Sequence, residues 1–190
     1  MSDRPLILAS TSPYRRELLE RLHLPFTQER PDFDELPAGS MAPVELVRHN
    51  TLGKGRSVAA RHRDARVIAS DQLAVCNDLV LGKPGTAERA IEQLGMLSGQ
   101  RVEFLTGLAL LAAEEERFDI VPFTVQFREL EMQEIEAYVR TEQPLDCAGS
   151  FKSEGLGIAL FESMHGDDPT ALIGLPLIRL SEWLKPLRFL

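Results

Sequence analysis

The chain has 190 residues, 44% hydrophobic and 26% charged, with a formal net charge of −8. This is globular composition, long enough for one large domain or two closely packed lobes. The negative balance argues against a general nucleic-acid or membrane-surface binder, both of which need a basic face, although a local basic cluster can still hold a small polyanion.

Leu6 to Ala9 predicts a short buried strand, apolar throughout and ended by Ser10-Thr11-Ser12-Pro13. A helix follows at once, with Ser12 as N-cap, Pro13 in the first helical position, Leu18, Leu19 and Leu22 as its apolar stripe, and an end near His23. Arg15 and Arg16 stand in its first turn, where the helix dipole disfavours cations. The loop "RPDFDELPAGSMAP" gives way to a second helix after Pro43, with Val44 and Val47 inward and with Gly53 and Gly55 flanking Lys54 in its weaker later turns. Ala65 to Ala69 predicts a strand whose end carries Ser70-Asp71-Gln72. A further pair, Leu73 to Val75 and Leu79 to Leu81, straddles the turn residues Asn77-Asp78 and closes at Gly82-Lys83-Pro84-Gly85.

From Thr86 to Leu97 the period is helical, with Ala87, Ala90, Ile91, Leu94 and Leu97 on one face, and Gly99 ends it. Phe104 to Ala112 predicts a buried strand and Pro122 to Phe127 a half-buried one, joined through the acidic Glu114-Glu115-Glu116. A helix over Glu131 to Arg140 turns Ile135, Tyr138 and Val139 inward. The Gly-rich "CAGSFKSEGLGIALFE" leads into a strand over Ile158 to Phe161, and Pro176 opens a last amphipathic helix with Leu180, Trp183 and Leu184. No internal repeat or separating linker occurs, and the order of elements suggests α/β or α+β with a mixed sheet. No run is long and apolar enough to cross a bilayer. The stretch after Pro5 is too short and too soon interrupted for a signal peptide, and Cys76 and Cys147 show no metal-type spacing, so a reducing cytoplasm with structural thiols is expected.

Charged or small polar residues gather at three strand ends, where open α/β sheets place ligands. At the first, the amides of the helix start, the hydroxyls of Ser10, Thr11 and Ser12, and Arg15 form a candidate anion site. A phosphate chain in front of the helix accounts for arginines at its positive end; exposed arginines paired with glutamates account for them equally. At the second, Asp71 is a general base, a metal ligand or a turn former, and taken alone the turn is the plainest. The third is the pair of lysines beside glycine, Lys54 and Lys83. No Walker-type loop or GxGxxG occurs, and His23, His49, His62 and His165 offer neither metal spacing nor a nucleophile partner, so a Ser-His-Asp hydrolase is poorly supported.

Taken together, the segments "LASTSPYRRELL", Asp34-Glu35, "SDQ", "GKP", "LSG", "TGLAL", "AGSFKSEG" and "GLPL" resemble the Maf family of nucleotide pyrophosphatases, in the family's order and over nearly the whole chain. The resemblance implies an α/β fold with a mixed central sheet and flanking helices, a single domain over residues 1–190 in two lobes around a nucleotide-binding cleft. It implies a cytoplasmic enzyme, commonly a homodimer, that hydrolyses nucleoside triphosphates to monophosphate and pyrophosphate with Mg²⁺ or Mn²⁺. Ser10, Arg15, Lys54 and Lys83 would then bind phosphate, Asp71 would act as general base, and Asp71 and Glu35 would hold the metal. The family often has Glu-Lys where this chain has Gly53-Lys54, which shifts metal binding onto Asp71 and Glu35.

Tyr14, Gln72 and Glu154 resemble the branch acting on 7-methyl-GTP, whereas the branch acting on dTTP and UTP tends to have Arg, Thr and Gln there. The chemistry agrees, since 7-methylguanine is cationic. A tyrosine ring offers it stacking with a cation–π contribution, and a carboxylate accepts from its N1–H and amino group. The expected function is therefore 7-methyl-GTP pyrophosphatase, a removal of modified nucleotides, acting on a small-molecule partner rather than nucleic acid or membrane. Hydrolysis of dTTP and UTP is the nearest alternative. Inhibition of septum formation by protein binding, with which the family is linked, is a competitor that would not need Asp71.

Overall fold

The structure is a computed structural model that describes residues 4–185. Among these residues, seven strands hydrogen-bond in one mixed sheet. Its order is β2 (Thr27–Glu29), β1 (Leu6–Ala9), β3 (Arg66–Cys76), β5 (Arg101–Ala112), β6 (Glu115–Phe127) and β7 (Phe161–His165), with β4 (Leu79–Leu81) paired to β3 off this path. β1 is parallel to both β2 and β3, while β4 and β7 are antiparallel to their neighbours. The helices are α1 (Pro13–Glu20), α2 (Pro43–Ala59), α3 (Ala87–Leu97), α4 (Met132–Glu142), α5 (Pro169–Ile173) and α6 (Leu177–Leu184). The mixed α/β class read from the sequence holds. None of the described helices is long and apolar enough to cross a membrane.

The chain divides into two compact units. One takes the sequence up to Gln72, Thr106–Val121 and the sequence from Asp168 onward; the other takes Leu73–Leu105 and Pro122–Asp167. In the first, strand alternation builds two cores. Leu6, Leu8, Ile68, Leu108 and Leu110 point to one side and pack with Leu18 and Leu19 of α1 and Leu177, Leu180 and Leu184 of α6. Ile7, Ala9, Val67, Ala69, Ala109 and Leu111 point to the other and pack with Leu52 and Val58 of α2. In the second unit, α3 packs on α4 through the buried Ala90, Leu94 and Leu97 of the former and Ile135, Tyr138 and Val139 of the latter. Phe104, Phe127, Phe151 and Phe161 meet edge to face there, with centroids 4.8–5.6 Å apart.

Several expectations change. The strand over 65–69 and the one over 73–75 are a single strand, β3, so Asp71 lies neither in a turn nor at a strand end. Ser70, Asp71 and Gln72 are tolerated mid-strand because each has hydrogen-bond partners on its own face of the sheet. α2 runs unbroken through Gly53 and Gly55, and Val44 is exposed rather than inward, whereas Val47 is fully buried. The strand expected over 158–161 is a 3₁₀ turn, Leu156–Leu160, followed by β7, because the Ile158 amide closes back onto the Gly155 carbonyl. α1 stops at Glu20, and a turn carries the chain through His23, at φ 52°. The turn at Asn77-Asp78 is as expected, with both residues at positive φ. Cys76 is buried, and burial pushes its thiol pKa up; Cys147 is half-buried.

Candidate active site

β1 ends at Ala9 beside β3, whose register pairs Leu8 with Ile68, so the parallel pair delivers Ser10, Ser70 and Asp71 at its C-terminal end. Open α/β sheets place chemistry at this end. Asp71 has odd parity and therefore faces α2. It is 5% exposed, and its Oδ1 accepts a hydrogen bond from Lys54 Nζ at 2.6 Å. Lys54, 8% exposed, also pairs with Glu35 Oε1 at 2.7 Å. Asp71 Oδ2 is buried without a hydrogen-bond partner. A buried carboxylate oxygen in that condition is costly unless something else comes to it.

Lys54 gets this close because α2 lies hard against the sheet. A side chain at Gly55 would collide with Leu111, and one at Gly107 with Thr51. Glu35 is set by the loop before α2, where the Leu36 amide donates to Asn50 Oδ1 at 3.2 Å. Gly53 has a physical reason too: the Phe33 ring occupies the space a side chain there would fill. The same ring meets the His49 ring at a tilt of 51°, centroids 5.6 Å apart, which anchors the loop two residues before Glu35. A glutamate at position 53 would have to displace Phe33.

Ser70 and Gln72 have even parity and face the opposite side. Ser70, fully buried, donates toward the carbonyls of Gly107 (2.7 Å) and Gly174 (2.8 Å). Gln72 Nε2 donates to the carbonyls of Ala171 (2.7 Å) and Leu172 (3.0 Å) and to Thr106 Oγ1 (3.0 Å). The Gly174 carbonyl also accepts from Arg15 Nε at 2.9 Å, and an Arg15 terminal nitrogen lies 3.5 Å from Ser10 Oγ. Burial pulls the Arg15 guanidinium below its ordinary pKa, and attraction from Asp71 and Glu35 opposes this. An arginine remains a cation in either case.

The two arginines at the helix start thus part company. Arg15 turns inward toward Ser10, Asp71 and Glu35; Arg16 is exposed and pairs with Glu20 one turn on, at 2.9 Å. Ser12 caps the helix as expected, accepting from the Arg15 amide. Tyr14 is half-buried on the first turn of α1. Sequence reasoning missed Asn50, Thr51, Thr106 and Asp168. Thr51 is fully buried with an unpartnered hydroxyl, and nothing in the sequence marks it. Asp168-Pro169 did carry a signal, a capping residue before proline as in Ser12-Pro13.

A family model described as Maf-like protein matches residues 5–187. The chain belongs to the Maf family. Among relatives, a Pseudomonas putida protein named 7-methyl-GTP pyrophosphatase is 59% identical over 182 residues, 95% of each chain. Proteins of the same name from Pseudomonas aeruginosa and a Polaromonas species are 55% and 53% identical, over 94% and 97% of this Maf chain and 94% and 85% of theirs. The structure of the Staphylococcus aureus Ham1 protein covers 96% of this chain and 98% of its own, with TM-score 0.52 and 16% identity, a likeness of fold alone.

Lys83 and Glu154 of the Maf chain belong to its second unit, and both are exposed. Glu154 sits in a loop fixed at both sides. Tyr138 Oη accepts from the Lys152 amide at 3.0 Å, and Glu142 Oε2 accepts from the Leu156 amide at 3.0 Å. Gly149 and Ser150 adopt φ of 78° and 60° in succession, and the Ser150 hydroxyl donates to Gln93 Oε1. Among the described residues no three His, Cys, Asp or Glu side chains gather to hold a metal. Asp71, with its unpartnered oxygen, and Glu35 instead fit a hard divalent cation that takes one or two carboxylates and fills its shell with water and phosphate.

Proposed function

We propose that this Maf protein hydrolyses the α–β phosphoanhydride of a nucleoside triphosphate, 7-methyl-GTP by preference, to the monophosphate and pyrophosphate. The observation that carries the reaction is Asp71, a buried carboxylate with one oxygen tied to Lys54 and the other unpartnered. The substrate comes from the shared name of its relatives and from Tyr14, Gln72 and Glu154.

Lys54 takes Oδ1 and so fixes the carboxylate plane, leaving Oδ2 to receive a proton from water. The water oxygen bonds to the α-phosphorus, the bond from that phosphorus to the bridging oxygen breaks, and pyrophosphate leaves with the electron pair. Asp71 passes its proton to solvent afterwards. Arg15, Ser10 and the amides that open α1 neutralise phosphate charge, and Lys54 adds to this from the α2 side. Mg²⁺ or Mn²⁺, held by Glu35 directly and by Asp71 through water while Oδ2 takes the proton, would supply further charge neutralisation on the phosphates. Lys83 and Glu154 enter from the sequence motifs, as a phosphate cation and as the acceptor for the guanine edge. A homodimer in the cytoplasm is the setting this reading carries.

Purified protein incubated with Mg²⁺ or Mn²⁺ and a panel of triphosphates should release monophosphate and pyrophosphate, fastest from 7-methyl-GTP. Glu154→Gln should narrow the preference for 7-methyl-GTP over GTP. Fastest turnover of dTTP or UTP would remove the base assignment and leave the reaction; no turnover with either metal would remove both.

A further inference from the structure

Asp168 is 2% exposed and has no part in the chemistry above, yet among the described residues its side-chain hydrogen bonds all go to one segment, Thr170 to Ile178. Its Oδ1 accepts from the Thr170 amide at 2.9 Å and the Thr170 hydroxyl at 2.6 Å, which caps α5. Its Oδ2 accepts from the Ile178 amide at 2.7 Å, in the first turn of α6. Thr170 Oγ1 in turn accepts from the Leu177 amide at 2.8 Å. The cap residue of α6 is Pro176, which has no side-chain acceptor, so this remote pair does the capping instead. One carboxylate therefore fixes two helix starts, where negative charge is favoured.

Between those two starts lie the carbonyls that the candidate site uses. Ala171 and Leu172 receive Gln72, Ala171 also receives Thr106, and Gly174 receives both Ser70 and Arg15. Gly174 stands at φ 121°, a conformation open to glycine and closed to other residues, and this aims its carbonyl. Arg15 carries a carbon–nitrogen fork whose terminal nitrogens point wherever Nε is held.

We infer that Asp168 is a positioning residue for phosphate binding, acting through the Gly174 carbonyl on the Arg15 guanidinium. The inference rests on the phosphate role of Arg15 proposed above. Asp168→Asn replaces one accepting oxygen by a donor facing an amide, so the segment loosens at one of its ends. The triphosphate KM should then rise about tenfold with kcat within about threefold of wild type. A double-mutant cycle separates this from a merely structural role. In an Arg15→Lys background the KM effect of Asp168→Asn should vanish, while its lowering of Tm persists.

Thr170→Val, which removes the hydroxyl link and keeps the shape, should shift KM the same way by a smaller factor, and Thr170→Ser should restore it. That pair carries the test if Asp168→Asn does not fold. A fall in Tm with KM unchanged overturns the inference, as does an equal KM rise in both backgrounds. If Arg15→Lys alone leaves KM unchanged, the phosphate role of Arg15 fails, and this inference fails with it.

Discussion

The two faces of the sheet beside Asp71 are built on opposite terms. Toward α2 stand a buried lysine and a buried carboxylate, with one carboxylate oxygen left without a partner. Toward α1, α5 and α6 stand neutral side chains, Ser70 and Gln72, whose donors meet backbone carbonyls and the Thr106 hydroxyl. Neighbouring residues of one strand thus serve a charged, incompletely satisfied face and a neutral, saturated one. Buried charge is a poor way to hold a fold together, since desolvation offsets much of the attraction. Neutral bonds to carbonyls are a good way to fix geometry. On the proposed function, the charged face is the one that reacts, and the neutral face holds in place the groups that reaction needs.

Breaking the charged face should give the largest effects. Asp71→Asn should lower kcat at least about a hundredfold, measured by pyrophosphate release. Lys54→Met should lower activity as well, and it strands the Asp71 carboxylate without its Oδ1 partner, at a cost of about 3 kcal/mol in urea unfolding. The informative variant is the double one, Asp71→Asn with Lys54→Met. It should regain most of the stability lost by Lys54→Met and none of the activity. A double variant as unstable as Lys54→Met alone would mean that the pair supports the fold rather than the chemistry.

The neutral face should respond in the reverse sense. Ser70→Ala removes the one hydroxyl proton that the buried carbonyls of Gly107 and Gly174 share and should lower stability by about 1–3 kcal/mol. Its effect on kcat should be several-fold, well below that of Asp71→Asn, and its effect on KM larger because Gly174 also carries Arg15. A kcat loss equal to that of Asp71→Asn would erase the distinction between the faces.

Much of the frame was legible in advance because its causes are local. Ser12-Pro13 gives a helix start through capping and a preset φ, the run from Ala87 to Leu97 has an unbroken period, and Asn77-Asp78 adopts the positive φ such residues tolerate. What escaped depends on neighbours distant in sequence. The family motif singled out Asp71, but taken alone it read as a turn former because its partner, Lys54, lies 17 residues away on a helix whose glycines looked like weaknesses. Gly55 lets the helix come near the sheet, and Gly53 makes room for the Phe33 ring. Asn50 and Thr51 carry no mark in the sequence, and their surroundings, the loop before α2 and β5, come against them only in the fold. α5, five residues long, has no period to read, although Asp168-Pro169 marks its start. Gln72 was singled out for base specificity, and in the fold its amide nitrogen is engaged with the Ala171 and Leu172 carbonyls of α5, partners 99 and 100 residues away that no local pattern marks.

An exposed ion cluster supplies the control for the buried one. Just past α2, Arg61 Nε and a terminal nitrogen donate to Glu29 Oε1 at 2.8 and 2.5 Å, and His62 Nε2 lies 2.5 Å from Oε2, tying the chain after α2 to the edge strand β2. The hydrogen bond from Arg61, more than any other influence, holds the Glu29 carboxyl below its ordinary 4.5. A carboxyl depressed on folding adds stability above its ordinary value, and that addition is lost as pH falls through the lower folded value. Arg61→Gln should therefore lower Tm slightly at neutral pH, with the gap to wild type closing once pH drops below 4.5. Salt gives a second axis: with a Debye length of about 3 Å at 1 M, the gap from Arg61→Gln should shrink in high salt, whereas the deficit of Lys54→Met should persist. Equal salt sensitivity in the two variants would place Lys54 and Asp71 in contact with bulk solvent and remove the ground for treating their face as distinct.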